Sequence, residues 1–183
     1  MLKNATRKLA LKTLVAATFL ATAGMAVPAA KTTTFAVTAT VVANCFINSA
    51  ANLAFGSYNP GTGNLDVDSA GIVVRCSNTT AYGIDLDAGT GVGSTLGQRT
   101  MSIGAGGANN TVNYQLYTNV GRTVPWVMPG VATSAAGNLS GTGTGLGNTF
   151  THIVRGRLQD DATSQAATPS TLYTSTVTVT INY

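Results

Sequence analysis

The stretch from Thr174 to Tyr183 reads Thr-Ser-Thr-Val-Thr-Val-Thr-Ile-Asn-Tyr, and it restricts the fold more than any other part of the chain. Its period of two places Val177, Val179, Ile181 and Tyr183 on one face and Thr176, Thr178, Thr180 and Asn182 on the other, as in a half-buried β-strand. β-Branched side chains crowd a helical turn and fit a pleated surface, so the segment has little helical alternative. Thirty threonines, 21 glycines and no glutamate in 183 residues extend that preference to the whole chain. The expectation is an all-β domain.

Further strand-like stretches run from Gly71 to Cys76, from Ala81 to Ala88 with Tyr82, Ile84 and Leu86 on one face, from Thr111 to Thr118, and from Thr151 to Leu158. Asn59-Pro60-Gly61 and the Gly104 to Asn110 stretch supply turns between them. Residues 119–149 are Gly-rich around an apolar island at Val124 to Met128, and one or two weak strands are expected there. Short strands punctuated in this way indicate a sandwich of immunoglobulin-like topology.

One more alternating segment, Lys31 to Val42, precedes all of these and aligns Phe35, Val37, Ala39 and Val41 on one side. It is either the first strand of its own domain or a detachable strand given to another copy, and one continuous segment is able to do both. The last strand favours donation. A long apolar strand with no later segment to cover its outer edge is an aggregation hazard unless a partner pairs with it.

Charge and cysteine content narrow the setting. The net charge is +4, but Lys3, Arg7, Lys8 and Lys12 crowd the first twelve positions, ahead of an uncharged run from Leu14 to Val27. Beyond residue 30, six basic residues balance six aspartates, so the pI near 9.3 does not indicate a nucleic-acid partner. A basic start, a short apolar run and small residues describe a signal peptide over residues 1–29, cleaved after Ala23, Ala26 or Ala29. The run is too short to span a bilayer, and no membrane span is expected in the mature chain. Export places Cys45 and Cys76 in an oxidising compartment, where one disulfide is expected; closing that loop is worth about 3.5–4 kcal/mol on a chain-entropy account.

Chemistry-bearing residues are sparse, and no catalytic, cofactor or metal site is expected. His152 is the single histidine and no Gly-x-Ser-x-Gly occurs, which leaves a serine hydrolase without its parts. Asp85 and Asp87 share a strand face, and a solvated face is the preferred reading over an acid–base pair. Asp66-Val67-Asp68 has a calcium-loop flavour but lacks the bidentate glutamate such loops use. Trp126 reads as a cap on the sandwich, with an exposed adhesive patch as the other possibility.

Several blocks in order resemble the spore coat U domain family, which includes the pilins of archaic, Csu-type chaperone-usher pili. They are Cys45-Phe46-Ile47, Leu53-Ala54-Phe55-Gly56-Ser57-Tyr58-Asn59-Pro60, Gly71-Ile72-Val73-Val74-Arg75-Cys76, Tyr82 to Gly89, Arg99-Thr100-Met101, Leu116-Tyr117-Thr118 and Thr176 to Tyr183. The resemblance implies an incomplete immunoglobulin-like β-sandwich of six strands plus an N-terminal donor strand, with a disulfide matching Cys45 and Cys76. It implies a domain over residues 44–183 preceded by a donor strand at 30–43. Implied partners are a periplasmic chaperone, an outer-membrane usher and neighbouring pilins, and the implied role is a surface pilus subunit supporting adhesion and biofilm. Phe35, Val37, Ala39 and Val41 would be donated, and Val177, Val179, Ile181 and Tyr183 would edge the acceptor groove. A tip or minor adhesin and a spore or cyst coat protein are the alternatives.

Overall fold

In the computed structural model, residues 28–131, 137–170 and 172–183 are described; the expected signal peptide through residue 27 lies outside the described residues. Alternation in the sequence becomes ten short strands among them: β1 (Cys45–Ala50), β2 (Leu65–Asp68), β3 (Ile72–Cys76), β4 (Ala81–Leu86), β5 (Arg99–Ser102), β6 (Thr111–Tyr117), β7 (Leu139–Thr142), β8 (Phe150–His152), β9 (Arg155–Leu158) and β10 (Val179–Asn182). A single helical turn, α1 (Ala162–Gln165), precedes β10, capped by the Asp161 side chain accepting from Ser164 N–H.

Strands β2 and β3 are two halves of one kinked run that lies antiparallel to β8 and β9. Leu65 pairs with Leu158 and Asp68 with Arg155 below the kink, and Ile72 pairs with His152 and Val74 with Phe150 above it. This layer is widened by β1 against β3 on one flank and by β6, then β5, against β9 on the other. The second layer has the order β10-β4-β7. Facing side chains Ile72, Val74 and Cys76 from the first layer and Tyr82, Ile84 and Leu86 from the second are at most 2% exposed. Thr40–Tyr183 form one compact unit. The protein is therefore an all-β immunoglobulin-like sandwich, with the Cys45–Cys76 disulfide joining β1 and β3 at directly paired positions.

Several expected strands come out shorter. Thr151 to Leu158 is split at Ile153-Val154, where the chain passes from pairing with β3 to pairing with β2 and β6. Thr174 to Tyr183 is extended, but its ladder to β4 covers only β10. β7 is the weak strand expected within 119–149; β1 and β5 show little strict alternation, and β2 alternates over only four residues. No strand is assigned over residues 28–44. Among the described residues, no helix is long and apolar enough to cross a membrane.

Candidate functional site

Two segments stand apart, and the gap between them is a cavity of about 1290 Å³. One wall is residues 173–179. Along it the even-numbered residues are exposed and turn their backbone groups toward the rest of the domain. Thr174 exchanges both backbone hydrogen bonds with Ser102, Thr176 C=O accepts from Thr90 N–H at 3.0 Å, and Thr178 C=O accepts from Asp87 N–H at 3.1 Å. Strand alternation then directs the N–H and C=O groups of Ser175 and Val177 to the opposite edge, where no hydrogen bond reaches them among the described residues.

The other wall is residues 50–58. Ala51 N–H bonds to Gly71 C=O at 3.0 Å, after which Leu53 and Phe55 lean onto the core. Phe55 meets Tyr114 edge-on, with ring centroids 6.1 Å apart. Gly156 makes room for both: a Cβ there would lie 2.8 Å from Leu53 and 2.9 Å from Phe55. Tyr58 ends the wall by donating its hydroxyl to the Asp160 carboxylate, which also accepts from Gly61 N–H at 2.9 Å and Gly63 N–H at 2.7 Å. Those bonds, the tyrosine's first, hold the Asp160 pKa down at about 2; burial first and then the carboxylate raise that of Tyr58. Ile72, Leu86, Met101, Tyr114, Leu116 and Leu158 form much of the floor. Small-molecule sites are commonly 300–1,000 Å³. This one is larger, predominantly apolar and bounded by unpaired backbone, which suits a polypeptide strand.

The sequence-expected edge residues fall into two groups. Val177 and Val179 line the cavity, whereas Ile181 packs on the core without lining it and Tyr183 is 54% exposed. β10 is also in contact with β1 from the other layer. Phe35, Val37 and Val41 are 86%, 84% and 89% exposed, and Ala39 is exposed as well. Leu53, Phe55 and Tyr114 were not expected at the site. The apolar alternation Leu53-x-Phe55 was the available signal, too short to stand out.

The remaining polar and aromatic residues of interest do not line the cavity. Asp85 lies on no solvated face: it is 1% exposed, with Oδ2 accepting from Gly130 N–H at 2.8 Å and the Asn182 amide at 2.7 Å while Oδ1 has no partner. Arg99 is fully buried, donating to the carbonyls of Asp87, Leu86 and Trp126 and to the Gln115 side chain; burial lowers its pKa. Trp126 is wholly enclosed, its indole N–H 2.7 Å from Ile84 C=O, so it belongs to the core and not to a surface patch. His152 Nε2 meets the Tyr82 hydroxyl at 3.0 Å, not a carboxylate, and burial lowers its pKa. Asp66 is gripped at 2.7 and 2.8 Å by Arg157, and Asp68 at 2.5 Å by Arg122, so guanidinium groups answer their charge. Among the described residues no group of three potential metal ligands occurs.

The sandwich is thus open along one seam, with unbonded backbone groups beside an apolar slot. Residues 31–180 match the Spore Coat Protein U domain, and the chain belongs to that family. Among solved structures it is similar to the CsuC–CsuE chaperone–tip adhesion subunit pre-assembly complex from archaic chaperone-usher Csu pili of Acinetobacter baumannii, with a TM-score of 0.50 and 19% identity over 79% of this chain. The likeness is one of fold, and it spans 41% of the matched chain's length. No curated protein matches the sequence.

Proposed function

We propose that the protein is a structural subunit of an archaic chaperone-usher pilus that polymerises by donor-strand exchange. The observation that carries this reading is the slot with unbonded Ser175 and Val177 backbone along its edge. An inserted strand would gain main-chain hydrogen bonds there, and its alternate side chains would fill the apolar floor. The chain holds a segment of matching length: Phe35 to Val41 covers seven residues, as does the wall 173–179, each about 20 Å long when extended. Full burial of Phe35, Val37 and Val41 is worth about 1.5–3 kcal/mol apiece. A periplasmic chaperone would fill the slot first, and residues 31–42 of the next subunit would replace its strand at an outer-membrane usher. The product is a surface fibre supporting attachment and biofilm.

Domain 44–183 should be unstable alone and gain thermal stability when a synthetic peptide of residues 31–43 is added. A stable peptide-free domain with no gain would sink donor-strand exchange. The adhesin alternative is weakened by burial of Trp126, which removes the aromatic from the patch it needed.

A further inference from the structure

The wall that receives the strand lacks a full ladder on its own inner side. β4 ends at Leu86, and the chain turns aside through Asp87-Ala88-Gly89, with Gly89 at φ +79°. A β-carbon at Gly89 would fall 2.6 Å from Ser175 Oγ, so the turn passes close under the wall. At Thr176 and Thr178, side chains supply acceptors that a continuous neighbouring strand would have offered as carbonyls. Asp87 Oδ1 accepts from Thr178 N–H at 2.8 Å and from Gly89 N–H at 2.9 Å, and Thr90 Oγ1 accepts from Thr176 N–H at 2.9 Å. Asp87 is itself held at both backbone groups, its N–H donating to Thr178 C=O at 3.1 Å and its C=O accepting from buried Arg99 at 2.9 Å.

We infer that Asp87 is a positioning residue for strand capture: its carboxylate stands in for a missing ladder carbonyl and keeps residues 177–179 extended, so that the free edge is ready before a donor arrives. The inference rests on the strand-accepting reading of the slot. An extended segment without a ladder loses conformational freedom for few bonds, and holding it in the bound shape beforehand lowers that cost at the moment of association. A charged acceptor makes a stronger hydrogen bond than a neutral one. Burial opposes ionisation of Asp87, but the bonds from Thr178 and Gly89, with Arg99 nearby, outweigh it and lower its pKa. Once a donor strand is seated, its own ladder holds the wall from the other side, and Asp87 matters less. A residue that merely stabilised the fold would show no such split between capture and release.

The test uses the chain from residue 30 to 183 with Val37→Asp and Val41→Asp, which blunt its own donor segment, and a labelled synthetic peptide of the natural residues 31–43. Association and dissociation rates are read by stopped-flow anisotropy. With Asp87→Ala, association should slow about tenfold or more while dissociation changes little, the loss of one charged hydrogen bond setting that scale. Asp87→Asn keeps an acceptor oxygen and should recover most of the rate. Unchanged association in Asp87→Ala, an equal effect on release, or no recovery with asparagine would overturn the role. Should Asp87→Ala fail to fold, Thr90→Val decides: slower capture supports the device, and an unaltered rate refutes it. Failure of the parent chain to bind peptide at all would instead refute the strand-accepting reading.

Discussion

The two ends of the sandwich are built from the same alternating sequence and differ in what flanks it. At the disulfide end β1 contacts β10, and the core that runs from Val74 and Cys76 through Tyr82 and Ile84 to Trp126 is sealed. At the other end residues 50–58 and 173–179 stand apart, and Leu53, Phe55, Met101, Val177 and Val179 are only partly buried although they pack on that same core. The two ends differ in whether a neighbouring segment covers the core. Apolar pattern alone does not close a sheet; each edge also needs a partner with free backbone groups.

The sharpest way to break this comparison is to damage the sealed end. Trp126→Ala should cost about 3–5 kcal/mol in urea unfolding, in the range of large core truncations. Replacing Cys45 and Cys76 together by serine should cost about 3.5–4 kcal/mol on the chain-entropy account, measured in the same way. At the open end, Val177→Ala should cost under about 1 kcal/mol in the free chain, because its side chain is still partly in water. Its effect should appear with the donor peptide present, as an affinity loss of up to about tenfold by titration.

Acid separates the two ends further. His152 sits at the sealed end with a pKa lowered by burial, so the unfolded chain, titrating near pH 6.5, takes up its proton first. Stability should fall as pH drops below about 6.5, and His152→Gln should flatten that part of a melting-temperature profile. Asp160 pins the open wall with a carboxyl held down at about 2. Its contribution is present above the unfolded value near 3.9 and is lost as pH falls toward 2. Asp160→Asn should remove this response at lower pH. A variant that leaves both profiles unchanged would show that the two residues do not mark separate ends.

Much of this was legible in the chain. Tyr82-x-Ile84-x-Leu86 and Val177-x-Val179 alternate plainly, and their inward faces follow from a period of two. Asp85 misled because period two assigns it to the face away from Ile84, and nothing local tells that residues near Gly130 cover that face. Ile181 and Tyr183 continue the alternation of Val177 and Val179, yet only the latter two line the cavity. The walls at Leu53 and Phe55 and the side-chain acceptors at Asp87 and Thr90 arise from segments distant in sequence, beyond any periodicity.

By itself, then, the amino-acid sequence determined the all-β class, the core-facing sets Tyr82, Ile84, Leu86 and Val177, Val179, and the single disulfide. The tertiary structure decided which edge stays unpaired, how far the slot runs and which side chains hold its wall extended. Local sterics and alternation act within a few residues of one strand, whereas an open edge exists only by virtue of what the rest of the chain does or does not place beside it.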